Sequence, residues 1–435
     1  MISINKIYSL FAFLLLRGHS SVHTHLSVHT TSHWTPHDTQ WVLSLFGTAV
    51  GAGILFLPIN LGLGGLVPLL IMAALAYPMT YLAHRGFTRF VLSSRQTDAD
   101  FTDVVVEHFG PTAGQVISLL YFLSIFPILL IYGVGLTNTV DSFMVHQAGL
   151  LPVPRFWLSG ALVAGLIAIM MAGEKAMLRT FSIMVYPLVA ILLFLSVYLI
   201  PNWQVPALTL PSLSALSSTL WLATPVVIFS FSHVAALSSF AHVQRRHYGQ
   251  RASVQSERIL RRTSMMLIVF VMLFVFSCVL TLSPAQLTQA KAQNVSVLTY
   301  LANATANPFI ATLGPIVAFI AITSSFIGHF LGARESLVGM LTKSSRLSPR
   351  QAHGISVVTL FVAIWAVSIV NPSILGMMEA LSGPVIAMIL FIMPMIAVYK
   401  VDALRVYRGT PSSVFVLLTG AIAVSALIFK LLQSI

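Results

Sequence analysis

Gly47-Thr48-Ala49-Val50-Gly51-Ala52-Gly53 puts three glycines within seven residues, near the middle of an apolar run that starts at Trp41. Glycine weakens a helix because it loses the most backbone freedom on folding. A helix in a bilayer can be interrupted only where the freed N–H and C=O groups line a cavity or are buried in protein. The stretch therefore predicts a broken membrane helix with a binding site at the break. A second stretch, Phe229-Ser230-Phe231-Ser232-His233, is polar in the middle of another apolar run and predicts a second break. Close helix packing also uses Gly and Ala, so the argument rests on the pair of breaks and not on the glycines alone.

Working outward, hydrocarbon about 30 Å thick needs roughly 20 apolar residues of helix, and about eleven stretches qualify. They lie at 41–57, 65–82, 115–136, 154–171, 178–200, 220–241, 264–282, 309–330, 355–370, 374–399 and 414–431. Threaded alternately across a membrane, they leave 20 of the 23 Lys and Arg residues on one side; Arg155, Lys291 and Lys430 are the exceptions. Basic residues stay in the cytoplasm when helices insert, so the N-terminus is expected inside and the C-terminus on the periplasmic side. The chain is 57% hydrophobic and 8% charged, with mean hydropathy +0.91 over 435 residues, which leaves little room for a soluble domain. The net charge of +12 sits in short loops, so membrane lipids are expected partners and nucleic acid is not. A single cysteine, Cys278, excludes an intrachain disulfide and any Cys-based metal cluster.

The domain reading is a tail over 1–37 and a transmembrane transporter domain over 38–435. The apolar run 7–16 is too short to cross and is similar to a weak signal segment. His19, His23, His25, His29, His33 and His37 punctuate a Ser/Thr-rich stretch. Imidazoles so close together can bind a transition metal, but the composition also suits a disordered tail, and no metal site is assigned. The fold expected is an all-α integral membrane protein of about eleven transmembrane helices. It is built as a 5+5 inverted repeat, one half over about 38–200 and the other over about 216–400, plus an extra helix over about 414–431. Spans one and six are corresponding members of the halves, and paired broken helices at such positions point to a transporter's binding site.

The breaks set the chemistry. Backbone N–H groups near Gly51, Ala52 and Gly53, with Thr48 and Ala49 before them, are placed to hold a carboxylate at a helix N-terminus. Carbonyls near Phe229 and Ser230 suit an ammonium group, so a zwitterionic amino acid fits better than a sugar or lipid. Ser230, Ser232, Tyr121, Ser124, Thr323, Ser324 and Ser325 are the candidates for side-chain selectivity, since hydroxyls that need a partner discriminate sharply. Glu379 is the one acid inside an apolar span, which makes it the first candidate for proton coupling. His233, at the second break, is a candidate substrate contact or proton carrier. A packing role is the competing reading for it, and the likelier one for His329, nearer the inner surface. The six arginines from Arg245 to Arg262 read as a topology anchor, and Asp98, Asp100, Asp103 and Glu107 as a cytoplasmic surface without convergent metal ligands.

The run from Gly47 to Pro58 resembles the first-helix signature of the hydroxy and aromatic amino acid permeases. His84-Arg85-Gly86, Glu107-His108-Phe109-Gly110, Thr137-Asn138-Thr139, Ser283-Pro284-Ala285, Gly328-His329 and Asn371-Pro372-Ser373-Ile374-Leu375 resemble further motifs of that family. The pattern runs from about Asp38 to the last helix and is most similar to the serine/threonine branch. This resemblance implies an eleven-helix bacterial inner-membrane protein with the LeuT-type fold, importing an amino acid, L-serine or L-threonine, with protons. Two departures fall at the expected site. The branch reads Phe-Ser-Phe-Asn and then Ser-Pro in span six, where this chain has Ser232 and then Val234-Ala235. In span eight the family carries a Lys before Ser-Phe, where this chain has Thr323-Ser324-Ser325-Phe326. Losing an ammonium group and keeping hydroxyls suits a hard cation, so sodium is the alternative coupling ion at Thr323, Ser324 and Ser325.

No nucleotide-binding P-loop is present, and no metal motif or oriented nucleophile that would make an enzyme. The expectation is a secondary transporter with no cofactor beyond its coupling ion and no obligate protein partner. Aromatic amino acid transport and a non-transporting amino acid sensor are the alternatives.

Overall fold

The first span begins where the sequence supplies a helix start. Thr35 accepts from the backbone N–H of Asp38, whose carboxylate accepts from the Thr35 N–H in return, and Pro36 occupies the first turn. The N-terminal half, Pro36–Ala49, stops at Val50 and Gly51, both extended, and the C-terminal half, Ala52–Leu63, leaves at 59° to it. In this computed structural model the described residues are 34–435 apart from 97–98, 172–173, 207–208, 306, 345–346 and 434–435. The apolar run 7–16, the histidines from His19 to His33, and Asp98 lie outside them. His37 lies within the first helix and stacks on His247 at 4.3 Å.

The sixth span is likewise interrupted. Leu213–Phe231 and Val234–Tyr248 are separated by Ser232, which is extended, and His233. The remaining spans are Leu66–Leu92, Pro111–Ser142, Arg155–Met171, Glu174–Tyr198, Ala252–Thr281, Pro308–Ser344, Pro349–Val370, Ile374–Lys400 and Pro411–Gln433. Among the described residues, nine helical stretches are long and apolar enough to cross alone, the bent pair makes a tenth, and the 17-residue Arg155–Met171 is the short fourth span. The expected eleven are thus all found, and no strand occurs among the described residues. Span ten contains two π-helical turns, Met378–Ser382 and Met388–Ile392, a feature that often marks functional positions.

Spans one, two, three and four pack against six, seven, eight and nine in turn. Four helices of one half therefore meet their counterparts in the other, as expected of an inverted repeat, whereas span five packs on spans four, seven and eight. The extra helix, Pro411–Gln433, lies outside this pairing and packs on spans two, six and ten. Three short helices sit between spans: Phe101–Phe109 on the arginine-rich face, and Pro284–Ala292 and Val297–Ala304 on the opposite, far face. Asp100 and Asp103 form a capping box for the first of these, so they serve a helix start. The stretch read as an arginine-rich loop is two helix ends joined at Gly249–Arg251.

Candidate functional site

The two breaks meet. Gly53 lies so close to span six that a Cβ there would sit 2.8 Å from the Cα of Ser230 and 2.8 Å from Phe229 Cδ1. Ser230 Oγ donates across this contact to the Gly53 carbonyl at 3.0 Å. Gly51 approaches spans three and eight as tightly, since its Cβ would lie 2.5 Å from Ser325 Oγ and 2.8 Å from Tyr132 Oη. Ser325 donates to the Thr48 carbonyl at 3.0 Å and, its one proton used, accepts from the Tyr132 hydroxyl at 2.8 Å. The glycines are thus there for approach as well as for the bend. No side chain caps the C-terminal half of span one at Gly51, so its first N–H groups carry the positive end of that helix into the junction. The Leu213–Phe231 helix ends opposite, and its last carbonyls carry the negative end.

Around this junction the predicted residues fall into groups. Thr48, Ala49, Gly51, Ala52, Gly53, Phe229, Ser230, Ser232 and His233 are buried at the two breaks, although Thr48 spends its own hydroxyl on Ser44 O at 2.9 Å. Thr323, Ser324 and Ser325 are buried on span eight beside them. Ser324 Oγ donates to Ala321 O at 3.1 Å, whereas Thr323 Oγ1 is buried with no hydrogen-bond partner. His329, one turn further along, donates from Nδ1 to Ser325 O at 2.8 Å and meets the Tyr132 ring edge-on at 5.5 Å.

Other candidates sit elsewhere. Tyr121 packs against Phe101 at 4.5 Å, beside the short helix on the arginine-rich face, and Ser124 Oγ returns to the Tyr121 carbonyl at 2.7 Å. The span-three tyrosine at the break is Tyr132, about 16 Å further along the helix at 1.5 Å per residue. Glu379 accepts from Asn60 Nδ2 at 3.1 Å and so ties span ten to the far end of span one. Asn60 lies nine residues, roughly 13 Å of helix, beyond the break. Sequence reasoning did not single out Tyr132, Asn60 or His84; the last was noticed only within a motif.

Both ends of the junction are latched. On the far face Asn138 donates to Asn294 O at 2.7 Å and to Asn371 Oδ1 at 3.1 Å, and Asn294 donates to Asn371 Oδ1 at 3.0 Å and Pro372 O at 2.8 Å. On the arginine-rich face the Tyr248 hydroxyl donates to the buried Asp38 carboxylate at 2.7 Å, Trp41 packs edge-on against Phe240 at 5.1 Å, and Arg262 lies 3.6 Å from the centre of the Trp34 ring. These contacts join the N-terminal half of span one to spans six and seven.

The sequence profile of the tryptophan/tyrosine permease family matches residues 40–432. The serine transporter SdaC of Escherichia coli (strain K12) is 51% identical over 412 residues, covering 92% of this chain and 96% of that protein. The threonine/serine transporter TdcC of Yersinia enterocolitica is 37% identical over 430 residues, covering 92% and 97%. Among solved structures, MhsT in complex with L-phenylalanine superposes with a TM-score of 0.60 at 17% identity, over 91% of this chain and 98% of that one. At that identity the likeness concerns the fold, which is the LeuT type.

Proposed function

Because this chain belongs to the tryptophan/tyrosine permease family, we propose that it is a secondary active transporter that imports a small neutral amino acid, L-serine or L-threonine, by proton symport. The observation that carries the reading is the meeting of the two breaks at Gly53 and Ser230. A substrate carboxylate is held by the N–H groups at the start of Ala52–Leu63, and its ammonium group by the carbonyls at the end of Leu213–Phe231, each charge facing the helix end of opposite sign. Ser230, Ser232, Ser325 and Tyr132 supply polar groups for a substrate hydroxyl. The names of the SdaC and TdcC relatives agree with this class of substrate. The arginine-rich face is cytoplasmic, as is the N-terminus, the C-terminus is periplasmic, and the membrane is a bacterial inner membrane.

One observation favours a second coupling ion. Thr323 Oγ1 is a buried hydroxyl without a partner on span eight, and hydroxyl oxygens suit a hard cation such as sodium. Uptake of labelled L-serine into proteoliposomes under separately imposed proton and sodium gradients decides between the two, with threonine and tryptophan as competitors. The expected result is proton-driven serine uptake blocked by threonine. Uptake driven by sodium alone would assign coupling to the span-eight hydroxyls, and uptake blocked only by tryptophan would overturn the substrate.

A further inference from the structure

Two buried histidines face one another where span six breaks. His84 of span two and His233 stack with ring centroids 3.7 Å apart and planes 17° apart, and neither ring is exposed by more than 1%. Their bonds fix most of the protons. The Thr80 carbonyl can only accept, so His84 Nδ1, 2.6 Å from it, carries a hydrogen. The backbone N–H of His233 donates to His84 Nε2 at 3.1 Å, so that nitrogen does not. His84 is therefore a neutral imidazole of one tautomer, and it caps an amide that the break has set free. His233 Nδ1 lies 3.3 Å from the Phe231 carbonyl and donates to it, which leaves His233 Nε2 buried with a lone pair and no partner.

We propose that this pair is the proton-coupling site, with His233 Nε2 as the atom that takes the proton and His84 as the residue that positions it; the proposal rests on the proton-symport reading above. A proton arriving at Nε2 makes a new N–H with no acceptor in the arrangement seen. The imidazolium then gains by moving the unwound segment until it finds one, and that segment is a wall of the substrate site. At this ring separation two positive charges repel strongly, so the pair holds a single proton. His84 cannot take it in place of His233 without giving up the amide it caps.

Among the described residues, no charged group on the elements packed around the pair bonds to either ring, and the Asp38 carboxylate of span one is taken by Thr35 and Tyr248. Arg85 of span two lies over the Tyr81 ring, Arg89 is paired with Glu257 of span seven, and Arg245 of span six bonds to the Val91, Leu92 and Gln96 carbonyls. Arg261 of span seven and Arg334 and Glu335 of span eight make no hydrogen bond or ion pair with either ring, and His329 of span eight is bonded to Ser325. Glu379 sits at the far end of span ten.

The test compares wild type with His233→Gln, His84→Gln, His329→Gln and Glu379→Gln, all full-length in proteoliposomes. Three readouts apply: serine counterflow, which needs no gradient; serine-evoked acidification of a trapped pH dye; and serine affinity between pH 5.5 and 8. In a symporter proton and substrate reinforce each other's binding, so wild-type affinity is expected to rise on the order of tenfold towards low pH. His233→Gln is expected to lose acidification out of proportion to any change in counterflow, and to bind serine independently of pH. His84→Gln is expected to move the midpoint of the pH profile without flattening it. Acidification and pH dependence surviving in His233→Gln, or vanishing in His329→Gln or Glu379→Gln alone, would overturn the proposal. If His233→Gln does not fold, 15N NMR of the imidazoles in wild type replaces it: a titrating nitrogen that shifts on serine addition and whose midpoint moves in His84→Gln supports the pair, and none overturns it. A wild type that counterflows serine without moving protons would instead overturn the symport reading, and this proposal with it.

Discussion

Replacing Gly53 by alanine tests whether the two broken helices meet as described. The added Cβ would lie 2.8 Å from Ser230 Cα and 2.8 Å from Phe229 Cδ1. The ring can turn, but the Cα is backbone, so helix must move against helix. Inserting a methyl group into a packed core costs about 1–3 kcal/mol, and a backbone contact places this case in the upper half of that range. Alanine returns at most ~1 kcal/mol of helix propensity. The balance is a loss of about 1–2 kcal/mol from the closed arrangement, a factor of roughly 5–30 in its population. Serine affinity, measured by a scintillation proximity binding assay on purified protein, should weaken by that factor, and Tm should fall. Gly165→Ala in span four is the control, since nothing lies within 4 Å of its Cβ position, and it should leave both unchanged or raise Tm slightly. Wild-type affinity and Tm in Gly53→Ala would show that spans one and six do not approach here, and the site built on that approach would fall with it.

Ser325→Ala should cost serine binding more than Tyr132→Phe. The first leaves both the Tyr132 hydroxyl and the Thr48 carbonyl without their partner, about 1–3 kcal/mol, whereas the second leaves Ser325 still bonded to Thr48 and costs about 1 kcal/mol; a double-mutant cycle should show the two strongly coupled. Tyr248→Phe removes one of three bonds to the buried Asp38 carboxylate, worth about 1.5–3 kcal/mol for a charged acceptor. It should speed alkylation, from the arginine-rich side, of a thiol introduced by Thr48→Cys; an unchanged rate would refute the latch. His108, on the short helix outside the spans, is held below the usual imidazole value by burial and by Arg95 against the pull of Glu107, and its Nε2 lies 3.0 Å from Ser93 Oγ. Its neutral form favours the fold, so as pH falls below about 6.5 the unfolded chain takes up the proton first and stability drops. Tm followed from pH 7.5 to 5.5 should decline in wild type and less steeply in His108→Asn.

How much of this was legible in advance depends on the range of the interaction. The eleven spans, the side that collects the arginines and both breaks were read from local composition. Hydropathy, charge and glycine content act within a single helix, and the bilayer imposes the rest. The hydroxyls of span eight were legible for the same reason. Tyr132 was not: Tyr121 and Tyr132 are eleven residues apart, about three full turns, so they share a helix face and periodicity cannot choose between them. Only the height at which span three crosses span one decides it. Glu379 stood out as an acid in an apolar run, but its partner Asn60 comes from a helix more than 300 residues earlier.

What the sequence by itself determined is the membrane class, the number of spans and the two places where backbone is set free. What only the tertiary structure decided is which side chains those places face. The stacking of His84 on His233, the closeness of Gly51 to Ser325 and the bond from Ser230 to Gly53 each join residues on different spans. The rotation and crossing of packed helices bring such residues together, and no pattern along one helix encodes them.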